Sequence, residues 1–113
     1  MARASKSTVL IDISASTTVS SAVDLGEWLI AGIICPTDLT SVAFTFEAAV
    51  AEDGTYRVCY DASGNAISVT VAADRHVLLE PQTFAGASWL KLVAGSAEAA
   101  DREITLVLHR REG

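Results

Sequence analysis

Apolar side chains alternate with polar ones along most of this chain, and this period of two restricts the possible fold more than any other feature. The alternation is clear at residues 42–46, 56–60, 67–71 and 104–108. Alternation over four to eight residues is typical of a strand with one buried face. The β-branched and aromatic residues that fill these runs also favour strands. The pattern therefore predicts an all-β protein.

Turn-forming residues separate the runs and set the number of strands. We predict strands at residues 8–13, 28–35, 41–50, 55–61, 66–72, 76–80, 88–93 and 103–110, while residues 17–23 form either a further strand or a loop. The pair Asp53-Gly54, between two alternating runs, is typical of a β-hairpin. Short strands separated at regular intervals indicate an antiparallel β-sandwich, jelly-roll-like, with about eight strands.

Length and composition indicate one folded domain at residues 1–113, with a short basic N-terminal arm at residues 1–7. Half of the residues are hydrophobic and only 19% are charged, which excludes a disordered chain. The longest nearly apolar run, residues 28–35, is too short to span a bilayer, and the N-terminus lacks the apolar core of a signal peptide. We therefore expect neither secretion by the usual route nor membrane insertion.

The charge of the chain is unevenly distributed. Residues 7–109 contain four basic and thirteen acidic residues, a net charge of −9. Such an acidic body repels phosphate, so nucleic acid is not an expected partner. The remaining basic residues lie at the two ends, where they either contact an acidic partner surface or are simply solvated; they are Arg3, Lys6, Arg110 and Arg111.

The predicted strand at residues 28–35 is apolar at both alternating positions. Trp28, Ile30 and Ile34 are assigned to one face, and the opposite face consists of Leu29, Ile33 and Cys35. Because a two-sheet sandwich covers only one face of each sheet, the second face predicts contact between subunits. Alternatively, residues 97–102, a loop or single helical turn, cover it within one subunit.

Two tryptophans extend this candidate interface. Trp28 follows a turn at Gly26, and Trp89 lies on the face opposite Leu90 and Leu92. Each is either packed in the core or exposed as an anchor for a partner. The candidate oligomer or partner interface accordingly consists of Trp28, Ile30, Ile34 and Trp89.

Catalytic chemistry has little support in the sequence. His76 and His109 are the two histidines, and no nucleophile motif accompanies them. Residues 61–65 place oxygen ligands at alternate positions but lack the other ligands of a calcium loop, so they predict an Asx turn. Cys35 and Cys59 could pair only if adjacent strands bring them together. We expect a non-enzymatic protein without catalytic residues, metal or cofactor.

A series of short motifs runs in order from about residue 20 to residue 110. The motifs are Val23-Asp24-Leu25-Gly26, Ile34-Cys35-Pro36, Leu39-Thr40, Phe44-Thr45-Phe46-Glu47, Asp53-Gly54-Thr55-Tyr56, Cys59-Tyr60-Asp61, Gly64-Asn65, Leu79-Glu80-Pro81, Phe84-Ala85-Gly86, Trp89-Leu90-Lys91-Leu92, Gly95-Ser96 and Arg102-Glu103-Ile104-Thr105-Leu106-Val107-Leu108. In this order and spacing the chain resembles a family of small structural proteins of tailed bacteriophages, encoded with head and neck genes. The sequence departs from the family pattern at Glu47-Ala48, where an amide-rich strand end is expected, and at Cys59, where an apolar residue is usual.

The resemblance implies a virion component assembled in the host cytoplasm. It implies most directly a capsid decoration protein, a homo-oligomer that binds the major capsid protein or other virion proteins on the outside of the head. A neck, head-fibre or tail component is the alternative within the virion. A carbohydrate-binding β-sandwich for host adsorption, with Trp28 and Trp89 as its aromatic platform, is an alternative of another class.

Overall fold

Strands dominate the structure, a computed structural model that describes the backbone of residues 2–3 and the whole of residues 7–110. Within these residues the chain forms one 3-10 turn at Pro81–Phe84 and ten strands, which are β1 (Ala2–Arg3), β2 (Thr8–Ile13), β3 (Val23–Asp24), β4 (Trp28–Ile34), β5 (Ala43–Ala49), β6 (Arg57–Val58), β7 (Ser68–Thr70), β8 (His76–Leu78), β9 (Trp89–Ala94) and β10 (Arg102–Arg110). The prediction of an all-β fold is confirmed.

The strands form two sheets that pack face to face. The smaller sheet has the order β2-β10-β4-β8 and is antiparallel throughout. The larger sheet has the order β1-β3-β9-β5, and its far edge consists of β6 and β7, which both pair with β5. The β1–β3 pair is parallel, and the other pairs of this sheet are antiparallel. From β2 to β5 and from β7 to β10 the chain alternates between the sheets. This is a jelly-roll β-sandwich, as the spacing of strands and turns predicts.

Two segments for which the sequence allows either regular structure or a loop are mainly loops. Residues 17–23 contribute a single bridge, between Val19 and Val93, before β3 begins at Val23. Residues 97–101 contain no helical turn. No helix within residues 7–110 is long and apolar enough to cross a membrane.

The core lies between the inner faces of the two sheets. From the smaller sheet it receives residues spaced by two along β2 and β10, namely Ile11, Ile13, Ile104, Leu106 and Leu108. From the larger sheet it receives Phe44, Phe46, Leu90, Leu92 and Ala94. Phe84, on the 3-10 turn, packs edge-to-face against Phe46 with 5.0 Å between the ring centroids. The alternation in the sequence therefore corresponds to the inner and outer faces of each sheet.

Strand β4 departs from this alternation because it contains a β-bulge. Leu108 pairs with Ile30 and Val107 pairs with Gly32, so Ala31 is skipped in the pairing with β10. A bulge adds one residue and reverses the faces beyond it. Ile30 and Ile33 consequently both lie in the core, each with 0% of its surface exposed. The predicted grouping of Trp28, Ile30 and Ile34 on one face is therefore wrong, since the bulge separates Ile34 from the other two.

A buried charged cluster joins the loop before β5 to the loop before β10. The Glu98 carboxylate accepts hydrogen bonds from the backbone N–H groups of Thr40 and Ser41, at 3.0 and 2.7 Å. Arg102 donates from Nε to Glu98 at 2.9 Å and from Nη1 to Asp38 at 3.2 Å. Glu98 therefore fastens its loop to the end of the sandwich, and residues 97–102 do not cover the outer face of β4, where Ile34 remains 38% exposed.

Candidate functional site

The outer face of the four-stranded sheet exposes apolar side chains across its width. Leu10 on β2 is 50% exposed, Ile34 on β4 is 38% exposed and Leu78 on β8 is 78% exposed. They lie in two adjacent rows of this face: Thr105 of β10 stands between Leu10 and Ile34, and Leu78 shares the next row with Val107, since both pair with Gly32. We call Leu10, Ile34, Leu78 and the half-buried Val107 the apolar strip.

The two ends of this face differ in charge. Asp12 and Glu103 are paired in the register and are both exposed at one end of β2 and β10. His109 is exposed on this face at the other end of β10, whereas Arg110 alternates to the opposite side of the strand, beside Trp28. The strip therefore has an acidic end and an end that carries a histidine, and two copies stacked face to face in opposite directions bring these unlike ends together.

The residues of the predicted interface do not come together. Ile34 belongs to the apolar strip, whereas Ile30 is fully buried in the core and cannot touch a partner of the folded chain. Trp28 is half-buried, packs against the core and lies 5.6 Å from the guanidinium carbon of Arg110. Trp89 is half-buried on the outer face of the other sheet. The two tryptophans thus lie in different sheets and do not share one outer face.

The predicted basic ends are only partly described. Arg110 donates to Glu27 at 3.2 Å, and both side chains are largely exposed. For Arg3 the structure gives only its backbone pairing, opposite Asp24. Lys6 and Arg111 lie outside the described residues. Arg110 is therefore engaged within its own chain, and its charge is partly compensated before any partner binds.

A second candidate site is an apolar cleft of about 210 Å³ at the open side of the sandwich. It lies between the larger sheet and the segment that follows the 3-10 turn, and its lining residues are Ala48, Cys59, Tyr60, Ile67, Thr83, Phe84, Gly86 and Ala87. Tyr60 is 61% exposed, so its ring stands at the rim rather than in the core.

The cysteines and the residue 61–65 turn give no metal or redox centre within the described residues. Cys35 and Cys59 are both free thiols. The Asp61 carboxylate accepts from the N–H groups of Ser63 and Asn65 at 2.9 and 3.0 Å, which confirms the predicted Asx turn. No three His, Cys, Asp or Glu side chains of residues 7–110 meet as a metal site requires.

Most of the strip was missed at the sequence level, although a signal for it exists. Three strands of the smaller sheet contain three consecutive apolar residues in place of strict alternation, in residues 9–11, 77–79 and 106–108. The middle residue of each triplet is Leu10, Leu78 or Val107, and all three point outward. The cleft had no such signal, because its wall combines four separate segments of the chain.

Neither a family model, nor a curated protein, nor a solved structure matches this chain. The structure itself defines the class of fold, a jelly-roll β-sandwich. This class includes viral capsid domains, lectins and cupins, so the fold alone does not select among their functions.

Proposed function

We propose that the chain is a structural protein of a tailed-bacteriophage particle, a homo-oligomeric decoration protein that binds the outside of the head. The virion assignment is supported by the resemblance of residues 20–110 to small phage structural proteins. The observation that carries self-association is the apolar strip on the outer face of the four-stranded sheet. A jelly roll is also a fold that viral capsid domains use.

The strip favours self-association for energetic reasons. Full burial of a Leu or Ile side chain is worth about 1.5–3 kcal/mol relative to leaving it exposed. Leu10, Ile34 and Leu78 are each at least 38% exposed, and they lie on one face within two adjacent rows of the sheet. In a two-fold interface the same patch occurs on both subunits, so the interface buries two copies of each of these side chains. Partial burial of the strip then amounts to several kcal/mol.

The charges around the strip specify the orientation of the two copies. An axis that runs across the strands brings Asp12 and Glu103 of one copy towards His109 of the other. The alternative axis, along the strands, brings the acidic ends together. Like charges facing each other across an interface are costly, so the first arrangement is the favoured one.

We propose that the protein attaches to the head through an exposed surface as well. A protein that binds only the assembled shell, and not its free subunits, stabilises the shell by mass action. Isolated heads that lack this protein should bind it in many copies and withstand higher temperature afterwards. A few copies per particle would instead identify a neck or tail component.

Self-association is tested by sedimentation velocity on the wild type, Leu78→Lys and Val50→Lys. Leu78 lies on the strip and Val50, 91% exposed, lies in a turn away from it, so both variants add the same charge at a surface position. We expect an oligomeric wild type, an oligomeric Val50→Lys and a monomeric Leu78→Lys with unchanged circular dichroism. A wild type that stays monomeric at every concentration would refute the proposal, as would a Leu78→Lys variant that assembles normally.

A further inference from the structure

The cleft lies beneath a hairpin that projects from the edge of the larger sheet. Tyr60 forms a bridge with Ala66, and the N–H of Ile67 donates to the Cys59 carbonyl at 2.9 Å. Residues 60–66 are all exposed. The hairpin therefore forms one wall of the cleft and is held to the sandwich at its base, where the Cys59 N–H donates to Phe46 at 2.9 Å.

Most of the side chains that line the cleft are apolar, and its size suits one side chain. Phe84, Ala87 and Ala48 form its inner surface, and Ile67 and the Cys59 thiol complete it. An apolar cavity of about 150 Å³ in another protein holds a benzene molecule. A cleft of about 210 Å³ accordingly has room for a Leu- or Phe-sized side chain. Pockets of this kind receive the anchor residues of protein interfaces.

Two carboxylates belong to residues close in the chain to the lining of the cleft. A third, Glu47, precedes the lining residue Ala48, but it alternates to the outer face of β5, opposite Lys91. Asp61 follows the rim residue Tyr60, and Glu80 caps the 3-10 turn that carries Thr83. Within residues 7–110, neither Asp61 nor Glu80 takes part in an ion pair.

Basic groups are scarce in the segments that form the cleft. Residues 47–61 and 80–87 contain five acidic side chains and a single basic one, Arg57. The segments that form the cleft are therefore net negative. A partner segment with basic residues on either side of an apolar one complements both the walls and the rim.

We infer that this cleft binds a Leu- or Phe-sized side chain of a partner protein, presented on a basic segment. The inference rests on the proposed function only for the identity of that partner, which is then a protein of the phage head. The strip and the cleft lie on different parts of the sandwich, so one subunit can contact another copy and the head at the same time. The cleft supplies the contact with the head, and the apolar strip supplies the contact between copies of the chain.

The direct test uses two-dimensional NMR of the labelled protein with short capped peptides. The probes are Lys-Phe-Lys, Lys-Ser-Lys and Glu-Phe-Glu. Lys-Phe-Lys should shift the amide signals of Ala48, Cys59, Ile67 and Ala87, with a dissociation constant of about 1 mM, as suits a ligand of this size. Lys-Ser-Lys should cause no shifts and Glu-Phe-Glu should bind at least several-fold more weakly.

Gly86→Leu is the variant that should abolish the binding. Gly86 lines the cleft, and a Cβ at this position meets no atom within 4 Å, so a leucine side chain fits at the edge of the cleft without a backbone clash. Ala73→Leu is the matched control, because Ala73 is exposed in the loop before β8. Should Gly86→Leu fail to fold, Ala48→Leu narrows the cleft from the opposite wall.

Thiol chemistry gives an independent readout. Cys59 lines the cleft, whereas Cys35 is only 3% exposed and serves as the internal control. Bound Lys-Phe-Lys should slow alkylation of Cys59 several-fold. Shifts spread away from the cleft, equal binding of Lys-Ser-Lys, or undiminished binding by Gly86→Leu would overturn the inference.

Binding to heads distinguishes a failure of this inference from a failure of the proposed function. Gly86→Leu should remain oligomeric but lose binding to heads that lack the protein. If Lys-Phe-Lys binds the cleft while no head binds the wild type, the proposed function fails and the cleft inference stands. If heads bind Gly86→Leu as they bind the wild type, the assignment of the cleft to head attachment fails.

Discussion

Ser41 donates two hydrogen bonds to one oxygen of Glu98, from its backbone N–H at 2.7 Å and from its hydroxyl at 2.5 Å. The two residues are 57 positions apart in the chain, and both are buried. The other oxygen of Glu98 accepts from the Thr40 N–H and from Arg102 Nε. Every contact of the carboxylate is thus made by a donor, which is the arrangement that stabilises a buried negative charge.

Glu98→Gln should destabilise the fold by about 3 kcal/mol. The amide retains the shape of the carboxylate, but its NH₂ group must face two donors in either orientation, and Arg102 loses its buried partner. Removing one member of a buried ion pair typically costs about 3–5 kcal/mol. Urea unfolding followed by tryptophan fluorescence measures the change. Glu103→Gln, at an exposed site on β10, is the control and should change stability by less than about 0.5 kcal/mol.

The same cluster predicts a dependence of stability on acid pH. Burial alone raises the pKa of Glu98, but hydrogen bonds from Ser41, Thr40 and Arg102 outweigh burial and lower the pKa from 4.5 to about 2. A carboxylate with a depressed pKa in the folded state stabilises the protein above its unfolded-state pKa. That contribution is lost as the pH falls from about 4.5 to about 2.

The expected loss over this pH window is about 3 kcal/mol in the wild type. Glu98→Gln removes the titrating group, so its free energy of unfolding should fall less steeply over the same window. Glu103→Gln should retain the wild-type slope. Parallel pH profiles for the wild type and Glu98→Gln would contradict the role given to this carboxylate.

Gly32 of β4 pairs with Leu78 of β8 and leaves little room for a side chain. A Cβ at this position would lie 3.1 Å from the Val77 carbonyl oxygen and 3.3 Å from His76 Nε2. Valine normally favours strands, yet Gly32→Val should destabilise the fold by about 1–3 kcal/mol because the site is already filled. Gly86→Val, where an added Cβ meets nothing within 4 Å, is the matched control and should be nearly neutral. Thermal unfolding of both variants would show the difference, and equal melting temperatures would disprove the crowding at Gly32.

The strands of this fold were predictable because alternation is a local signal. Strand β2 has the predicted bounds, 8–13, and β4 and β10 differ from theirs by one residue at one end. The jelly roll followed from the number and spacing of these strands. Strand β6 is shorter than the predicted 55–61, since only Arg57 and Val58 pair regularly with β5.

The candidate sites were much less predictable, for two physical reasons. A bulge reverses the faces of a strand without any marker in its composition, which is why Ile30 was assigned to a surface. Contacts such as that between Glu98 and Ser41, or the four-segment wall of the cleft, depend on how distant loops meet. Alternation along a strand gives no information about contacts between loops that are distant in the chain.

The bulge itself can be tested with two isoleucines of the same strand. Ile30 and Ile34 are four residues apart and share one face in a regular strand. In this structure Ile30 is 0% exposed in the core and Ile34 is 38% exposed on the apolar strip. Ile30→Ala should therefore cost about 2–5 kcal/mol, the usual range for truncating a core isoleucine.

Ile34→Ala should cost less than about 1 kcal/mol when measured on the monomeric Leu78→Lys background, since a half-exposed side chain leaves no closed cavity. That background is needed because truncation on the strip also weakens association, and dissociation would add to the apparent loss of stability. Chemical unfolding of the two variants on Leu78→Lys gives the comparison. Equal losses at the two positions would mean that β4 is regular and that Ile30 and Ile34 share one face after all.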